Sequence, residues 1–331
     1  MSRRHPDSHL RTLDMLASAF GVHVAGALSD PSVTEVMLNP DGHLWTDRHD
    51  MGRADTGHVI TPQAAERIIR LVASFKGESA DSKSPIISAE LPDGERFEGL
   101  LPPITTAPSF SIRKAGVKLL RLSEYVTSGS MTGEQADALR AAIHAKRNIL
   151  IIGGTGSGKT TLANALLAEV ADLGDRVLIL EDTRELRCSA PDIVALRTST
   201  YIPMSALVRS SLRLRPDRII IGEVRGPEAL DLLKAWNTGH PGGIATIHAN
   251  GALQGLSRME QLILEAIPTV PPGLITDAID ILVFIRGKGS ERRVETIATL
   301  KGFDGLSYQV EPLTSGANIS HLKLVKQEKT L

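Results

Sequence analysis

Eight consecutive residues, Gly153-Gly-Thr-Gly-Ser-Gly-Lys-Thr160, have the types and the spacing that bind phosphate groups. A glycine, four intervening residues and then Gly158-Lys159-Thr160 match the full pattern G-x-x-x-x-G-K-[ST]. Glycines allow a tight turn that directs several backbone N–H groups at phosphate oxygens, and a helix after the turn adds the positive end of its dipole. We expect Lys159 to reach the outer phosphates of a nucleoside triphosphate, and the Thr160 hydroxyl to bind Mg²⁺.

The sequence on both sides of this loop predicts the setting that the motif requires. The apolar run Asn148-Ile-Leu-Ile-Ile152 predicts a buried strand before the loop, and Leu162-Ala-Asn-Ala-Leu-Leu167 continues a helix after it. We therefore expect ATP to bind to the loop residues and the first helical residues, which are Gly153, Gly154, Thr155, Gly156, Ser157, Gly158, Lys159, Thr160 and Thr161.

Two further apolar runs end in acidic residues. Arg218-Ile-Ile-Ile-Gly222 leads to Glu223, and Val177-Leu-Ile-Leu180 leads to Glu181, with Glu185 four residues later. In a doubly wound sheet, the carboxyl ends of such strands lie beside the phosphate loop. A carboxylate there coordinates Mg²⁺ through water or polarises the attacking water, and the Gly-Glu pair favours the second role for Glu223. Clustered acids at this edge need Mg²⁺ or arginine as partners.

A histidine ends another predicted strand. The segment Gly242-Gly-Ile-Ala-Thr-Ile-His248 places His248 at the same edge, where we expect it to hydrogen-bond the γ-phosphate or its water. Neither His248 nor His240 has a cysteine or a second histidine at metal-ligand spacing, so zinc is not expected.

Hydrophobic periodicity predicts the elements that position these residues. Apolar runs alternate with helical patterns from residue 148 onward, which is typical of a parallel sheet with helices on both faces. The strands are predicted at 148–152, 176–180, 193–196, 218–222 and 243–247, with helices near 159–172, 203–214 and 226–237. A helix at 132–144 comes first, and helices near 252–266 and 273–280 and strands near 281–285, 294–300 and 307–311 follow.

The first 113 residues have a different pattern and contain no recognisable catalytic constellation. Helical spacing over 9–28 and 62–75, two hairpins with Pro-Asp-Gly turns and a last strand at 109–113 predict a small α+β domain. The hairpin strands are predicted at 33–38, 43–46, 86–91 and 96–101. We therefore expect an N-terminal domain at 1–113, a linker at 114–130 and an α/β P-loop domain at 131–331.

The composition narrows the possible functions. A net charge of −1 and an aromatic content of 3% disfavour a nucleic-acid channel built from basic and stacking side chains. The single cysteine, Cys188, excludes an intrachain disulfide and fits a reducing compartment. No run approaches the ~18 apolar residues of a membrane-spanning helix, and the basic N-terminus lacks the apolar core of a signal peptide.

The order of these motifs resembles that of the secretion-superfamily traffic ATPases, most closely the VirB-eleven-like TrbB group of conjugative type IV secretion. Beyond the phosphate loop, the resemblance rests on an "Asp box" at 181–185, on the segment 212–226 and on a "His box" at 239–249. It extends into the first domain through Glu35-Val-Met-Leu-Asn-Pro-Asp-Gly42, Arg96-Phe-Glu-Gly99 and Ser109-Phe-Ser-Ile-Arg-Lys114.

The resemblance implies a homohexameric ring of RecA-like ATPase domains, each preceded by an N-terminal domain. Such a protein hydrolyses ATP with Mg²⁺ to power pilus assembly and substrate or DNA transfer. Glu223 would activate water, Glu181 and Glu185 would support the metal and water network, and His248 would respond to the γ-phosphate. Arg113 resembles an arginine that reaches the nucleotide phosphates from the N-terminal domain, a task that a forked guanidinium suits.

The resemblance also implies partners and a location. One of Arg209, Arg213 and Arg215 would act across a subunit interface. The partners would be inner-membrane components of a conjugation machinery, which puts the protein in the bacterial cytoplasm, peripheral at that membrane. No sequence-specific nucleic-acid binding is expected.

Three alternatives remain. One is a type IV pilus or type II secretion motor of the same superfamily, although the chain lacks the tetracysteine metal module of many type II members. Another is a RecA-like helicase, which charge and aromatic content disfavour. The last is a nucleotide-dependent scaffold, which has no need of a water-directing Glu223.

Overall fold

The chain divides by its internal contacts into two compact units, Met1–Val117 and Lys118–Leu331. The computed structural model describes residues 6–48, 51–114, 120–199, 201–271, 273–287 and 289–314. Each unit has its own sheet and its own apolar core.

The first unit contains a six-stranded sheet with the order β3-β2-β1-β6-β5-β4, in which every neighbouring pair is antiparallel. Its strands are β1 (Val33–Leu38), β2 (His43–Arg48), β3 (Gly52–Val59), β4 (Ile86–Glu90), β5 (Arg96–Leu100) and β6 (Ser109–Arg113). Both predicted hairpins and the strand at 109–113 are confirmed. Strand β3 was not predicted, because none of its residues is buried and its sequence therefore shows no apolar alternation.

Two helices accompany this sheet, as predicted. Helix α1 (Pro6–Ser29) has a break in helical geometry at Gly21. Helix α2 (Pro62–Lys76) begins at Thr61, whose hydroxyl accepts a hydrogen bond from Ala64 N, and ends at the left-handed Gly77. The buried face of α2 includes Ile68 and Ile69 and packs into the core of this unit.

The predicted linker at 114–130 differs from the structure. Helix α3 (Leu122–Thr127) forms within it, and Leu122 and Tyr125 are buried in the core of the second unit. Two buried side chains in six residues anchor this segment, and six residues are too few to show a helical period in the sequence.

The second unit contains an eight-stranded sheet with the order β14-β13-β12-β7-β11-β10-β8-β9. The six strands from β12 to β9 pair in parallel, and β13 and β14 add antiparallel pairs at one edge. The strands are β7 (Ile149–Gly153), β8 (Val177–Glu181), β9 (Ile193–Arg197), β10 (Arg218–Val224), β11 (Ile244–His248), β12 (Ile281–Arg286), β13 (Arg293–Phe303) and β14 (Tyr308–Pro312).

The helices of this unit confirm the predicted alternation. After α3 they are α4 (Gly133–His144), α5 (Lys159–Val170), α6 (Met204–Ser211), α7 (Glu228–Asn237), α8 (Ala252–Leu264) and α9 (Leu274–Ala278). Two apolar clusters lie on the two faces of the sheet, which is why the parallel strands β7 and β8 are buried at every residue. The result is a mixed α/β unit whose strand ends meet at one edge.

At the amino ends of the parallel strands, Asp175 forms ion pairs with Arg218 and Lys146, a cluster that we call the clasp. Arg218, at the start of β10, is 1% exposed. Its Nε donates to Asp175 Oδ2 at 2.7 Å, and its terminal nitrogens donate to the carbonyls of Gly242 and Ile143. Lys146 Nζ donates to the other oxygen of Asp175 at 2.8 Å. The clasp links the amino ends of β8 and β10 to the residues that follow α4.

Candidate active site

The phosphate loop connects β7 to α5 through a backbone that only glycine accommodates at several points. Gly156 and Gly158 have φ angles of 74° and 94°. A Cβ at Gly153 would lie 2.5 Å from Ser157 Oγ and 2.6 Å from the carbonyl oxygen of Ile285. The loop is therefore packed against the end of β12 as well as against itself.

This loop has the features of an anion site. Helix α5 begins after Gly158 without a side-chain cap, which leaves its first N–H groups directed at the loop. Ser157 is buried, and its hydroxyl has no hydrogen-bond partner among the described residues. A cavity of about 520 Å³ borders the loop, lined by Gly154, Thr155, Ser157, Asn250, Phe284, Ile285, Arg286 and Gly287. The loop and its surroundings thus fit a bound phosphate ester.

Lys159 lies inside the loop. Its side-chain ammonium donates to the carbonyl oxygens of Gly153 and Gly154 at 3.0 and 3.1 Å. The same nitrogen is 3.2 Å from His248 Nδ1 and 3.9 Å from Glu223 Oε1. The positive charge of the loop therefore faces two other residues that the sequence predicts for this site.

Glu223 reaches the loop because β10 is irregular at this point. The pairing of β10 with β11 shifts register between Ile221 and Val224, and Thr246 Oγ1 donates to the carbonyl of Gly222 at 2.7 Å. Such a bulge redirects the side chain that it contains. A Cβ at Gly222 would lie 3.2 Å from Glu181 Cγ, so the glycine before Glu223 leaves room for the neighbouring strand end.

The surroundings of Glu223 keep it ionised. Burial alone would raise the pKa of this carboxyl, but the charge of Arg225, a hydrogen bond from His248 and the charge of Lys159 together lower the pKa below its ordinary value. Arg225 Nε donates to Glu223 Oε2 at 2.6 Å. Glu223 is therefore a hydrogen-bond acceptor at neutral pH.

His248 connects three parts of the site. It pairs in register with Gly153 across β11 and β7. Its Nε2 lies 2.8 Å from Thr155 Oγ1, and its Nδ1 lies 3.2 Å from both Lys159 Nζ and Glu223 Oε1. Without a proton, Nδ1 accepts from Lys159; with one, it donates to Glu223. The position of one proton thus decides which of the two partners His248 binds.

The acids of the 181–185 segment lie on the other side of the loop. Thr160 Oγ1 donates to Glu185 Oε2 at 3.0 Å. Glu181 Oε1 accepts from the backbone N–H groups of Glu185 and Leu186 at 2.9 and 2.7 Å. Glu181 thus shapes the turn that presents Glu185 to Thr160. A hydroxyl and a carboxylate side by side are oxygen donors of the kind that Mg²⁺ binds.

Metal binding by protein side chains alone is not supported by this arrangement. Among the described residues, no group of three or more His, Cys, Asp or Glu is placed to hold a metal ion. Mg²⁺ in nucleotide sites is held by one or two protein oxygens together with substrate phosphates. The Thr160–Glu185 pair fits that type of site.

The structure places Arg113 in the first unit and the three candidate interface arginines on or just after α6 in the second. Arg113 ends β6 in the first unit, exposed, opposite Glu35 and Arg96 in the sheet. Arg209 pairs with Asp231 on α7, and Arg213 and Arg215 are exposed after α6. The roles suggested for these arginines stay predictions.

Two residues of the site were not singled out from the sequence. Asn164 donates to the carbonyl of Glu185 and accepts from Arg187 N, which fastens the 181–185 turn to α5. Its place one helical turn after Thr160, in an otherwise apolar face, was the available signal. Arg225 contacts both Glu223 and Asp182, and only its position in the motif around Glu223 pointed to it.

No helix among the described residues is long and apolar enough to cross a lipid bilayer.

The fold resembles those of solved secretion and pilus ATPases. The ATPase DotB of Legionella pneumophila superposes with a TM-score of 0.56 at 18% identity, covering 86% of this chain and 78% of that one. The pilus retraction motor PilT, solved with bound ADP, gives a TM-score of 0.57 at 15% identity, covering 93% and 84%. At these identities the likeness concerns the fold alone.

Sequence comparison is more specific. The chain is 48% identical over 318 residues to the conjugal transfer protein TrbB of Rhizobium radiobacter, covering 95% of this chain and 98% of that protein. It is 33% identical over 310 residues to the type IV secretion system protein PtlH of Bordetella pertussis, covering 82% and 91%. The family described as type II/IV secretion system protein matches residues 30–293. The chain belongs to the type II/IV secretion system protein family.

Proposed function

We propose that this protein hydrolyses ATP to ADP and phosphate at the carboxyl edge of its second sheet, and that hydrolysis powers conjugative type IV secretion. One observation supports the reaction: Lys159, at the start of α5, lies within 3.9 Å of Glu223 and His248, which are near the carboxyl ends of the neighbouring strands β10 and β11. The similarity to conjugal transfer protein TrbB supports the process.

The loop with Lys159, Glu223 and His248 have different roles in the proposed hydrolysis. The N–H groups of the loop and the Lys159 ammonium bind the phosphates and stabilise the charge that spreads over the transferred group. Glu223, ionised and held at the loop, accepts a hydrogen bond from the attacking water and orients it. His248 links Thr155 to Glu223, so a change at the phosphates reaches the end of β11.

Thr160 and Glu185 would hold Mg²⁺, and Glu181 supports that pair through the 181–185 turn. When bound, Mg²⁺ neutralises charge on the phosphate oxygens. The sequence prediction gave Glu181 as the metal ligand; the hydrogen bond from Thr160 to Glu185 instead makes Glu185 the acid that would bind Mg²⁺ together with Thr160.

The larger assembly is part of the proposal. The second unit acts as a RecA-like ATPase domain and the first as the N-terminal domain, with Arg113 reaching the phosphates during the cycle. Six copies form a ring in the bacterial cytoplasm, peripheral at the inner membrane, where components of the conjugation machinery are the partners. The similarity to TrbB and PtlH over most of each chain supports the link to a type IV secretion system.

Two substitutions test the reaction. Lys159→Ala should abolish ATP hydrolysis and weaken nucleotide binding, because it removes the charge of the loop. Glu223→Gln should bind ATP with unchanged affinity and turn over at least about 100-fold more slowly, because a neutral amide orients water poorly. Wild-type turnover in either variant, measured as phosphate release, would show that the site is wrongly assigned. Single-stranded DNA that stimulates hydrolysis in a salt-sensitive manner would favour the helicase alternative.

A further inference from the structure

Arg225 joins two acids from neighbouring strand ends. Its Nε donates to Glu223 Oε2 at 2.6 Å, and a terminal nitrogen contacts the same oxygen. The other terminal nitrogen lies 3.3 Å from Asp182 Oδ2, directly after β8. Asp182 in turn accepts from Thr198 Oγ1 at 2.9 Å. One guanidinium therefore ties the end of β10 to the end of β8.

The position of Glu223 explains why such a tie is needed. Glu223 lies in the bulge between Ile221 and Val224, where the ladder of β10 and β11 is interrupted. The carboxylate can turn about its side-chain bonds unless something holds one of its oxygens, and His248 donates to Oε1 only when its Nδ1 carries the proton. Arg225 takes Oε2, and Oε1 is the oxygen that faces Lys159 and His248.

We propose that Arg225 is a positioning residue for hydrolysis, which holds Glu223 Oε2 so that Oε1 faces the phosphate loop, and which makes this orientation depend on Asp182. The inference rests on the proposed function of Glu223. A guanidinium suits the task because its planar fork binds two acceptors in fixed directions, whereas an ammonium acts as a point charge.

The test compares Arg225→Gln and Arg225→Lys with Arg147→Gln in the full-length protein. Arg147 is the matched control: it is 58% exposed against 55% for Arg225, and it pairs with Asp280 at 2.8 Å at the opposite edge of the sheet. The readouts are kcat and KM for ATP, the Kd of a fluorescent ATP analogue and the melting temperature.

Arg225→Gln should lower kcat about tenfold to 100-fold, because a displaced catalytic group costs that much, while Kd and melting temperature stay near wild type. Arg225→Lys should recover part of the loss, since it restores the charge without the fork. Arg147→Gln should behave as wild type. A kcat of Arg225→Gln within about twofold of wild type would overturn the proposal, and so would a fall in affinity that matches the fall in kcat.

A double-mutant cycle separates action through Glu223 from an independent effect. Arg225→Gln should add less than about twofold to the slow turnover of Glu223→Gln, because the orientation of an absent carboxylate no longer matters. Full additivity would contradict the proposal. Should Arg225→Gln fail to fold, Asp182→Asn removes the second anchor and should lower kcat at constant Kd; wild-type kcat there would count against the proposal.

The same variants distinguish failure of the proposal from failure of the proposed function. If Glu223→Gln hydrolyses ATP as fast as wild type, the role given to Glu223 is wrong. If Glu223→Gln is slow and Arg225→Gln is not, only the role of Arg225 is wrong.

Discussion

At the scale of single residues, Glu223 is surrounded by groups that favour its charged form. Arg225, His248 and Lys159 outweigh the effect of burial on its pKa, so the carboxylate is a weak proton acceptor. A carboxylate with a low pKa still orients water, because its charged oxygen accepts a stronger hydrogen bond than a neutral amide or carboxylic acid does. The protonation of Glu223 is therefore a measurable property of the site.

We expect protonation of Glu223 to lower kcat only when the pH falls below about 4.5, the ordinary pKa of a glutamate. The pKa is lowered in the folded protein, so the ionised and active form persists as the pH falls through the ordinary value. Removing the charge of Arg225 should move this acidic limb to higher pH. The measurement is kcat against pH for wild type and Arg225→Gln under saturating ATP.

The acid limb must be separated from unfolding, which circular dichroism at each pH provides. The stability of the fold should fall in the same pH range as kcat. Because the pKa of Glu223 is lowered, this residue stabilises the folded protein above its ordinary pKa, and the contribution is lost as the pH falls through the lowered value. A limb that stays in place in Arg225→Gln would show that another group controls the titration.

At the scale of elements, two neighbouring glycines of the loop differ in the space around them. A Cβ at Gly153 meets Ser157 Oγ and the Ile285 carbonyl at 2.5 and 2.6 Å, whereas a Cβ at Gly154 meets only Asn250 Oδ1 at 3.9 Å. Gly153→Ala should lower the free energy of unfolding by about 1–3 kcal/mol through overpacking. Gly154→Ala is the matched control, with a change below about 1 kcal/mol. Denaturant unfolding measures both, and equal effects would contradict the packing described for Gly153.

The clasp at the opposite edge gives a second prediction at this scale. Asp175 is 12% exposed and faces the buried Arg218, and these contacts, with Lys146, lower the pKa of Asp175 against the effect of burial. Asp175→Asn should lower the free energy of unfolding by about 3 kcal/mol, because it leaves a buried guanidinium without its counter-charge. Chemical denaturation of both proteins at neutral pH measures this difference in the free energy of unfolding. The difference should become smaller only as the pH falls below the ordinary pKa of Asp175, where wild type itself loses the charge.

Asp192 supplies the control for Asp175. It also pairs with an arginine, Arg176, but it is 52% exposed. Asp192→Asn should therefore cost less than about 1 kcal/mol. Equal losses from the two substitutions would mean that burial of the clasp does not govern its contribution.

The elements show what the sequence can and cannot predict. Strands such as β7 and β10 were predictable, because burial on both faces requires continuous apolar runs. Strand β3 and helix α3 were not, because the first is held by pairing with β2 and the second by two side chains. The positions of Glu223 and His248 at the ends of apolar runs predicted that both lie beside the phosphate loop. The partners of Arg225 could not be predicted, because they depend on the bulge in β10, and a bulge has no periodic pattern in the sequence.

At the scale of the whole molecule, the proposed assembly can be observed directly. Negative-stain or cryo-electron microscopy of the protein with ATP and Mg²⁺ should show rings with six-fold symmetry. Closed rings follow when identical subunits join head to tail through a rotation that closes. Glu223→Gln, which should hold ATP without hydrolysing it, is expected to increase the fraction of rings. Monodisperse single subunits under these conditions, confirmed by light scattering, would contradict the hexamer.

The imidazole Nδ1 of His248 contacts both Lys159 and Glu223, which makes its protonation visible by spectroscopy. Because Nδ1 faces Lys159 on one side and Glu223 on the other, the two tautomers of this ring correspond to two arrangements of the site. The ¹⁵N chemical shifts of an imidazole distinguish its tautomers, so a single labelled side chain can act as an internal indicator of the state of the loop. The chain has ten histidines, and the signal that disappears in His248→Gln identifies this one. Nucleotide titrations followed at that resonance would then record, without any attached dye, how the strand ends respond to the ligand.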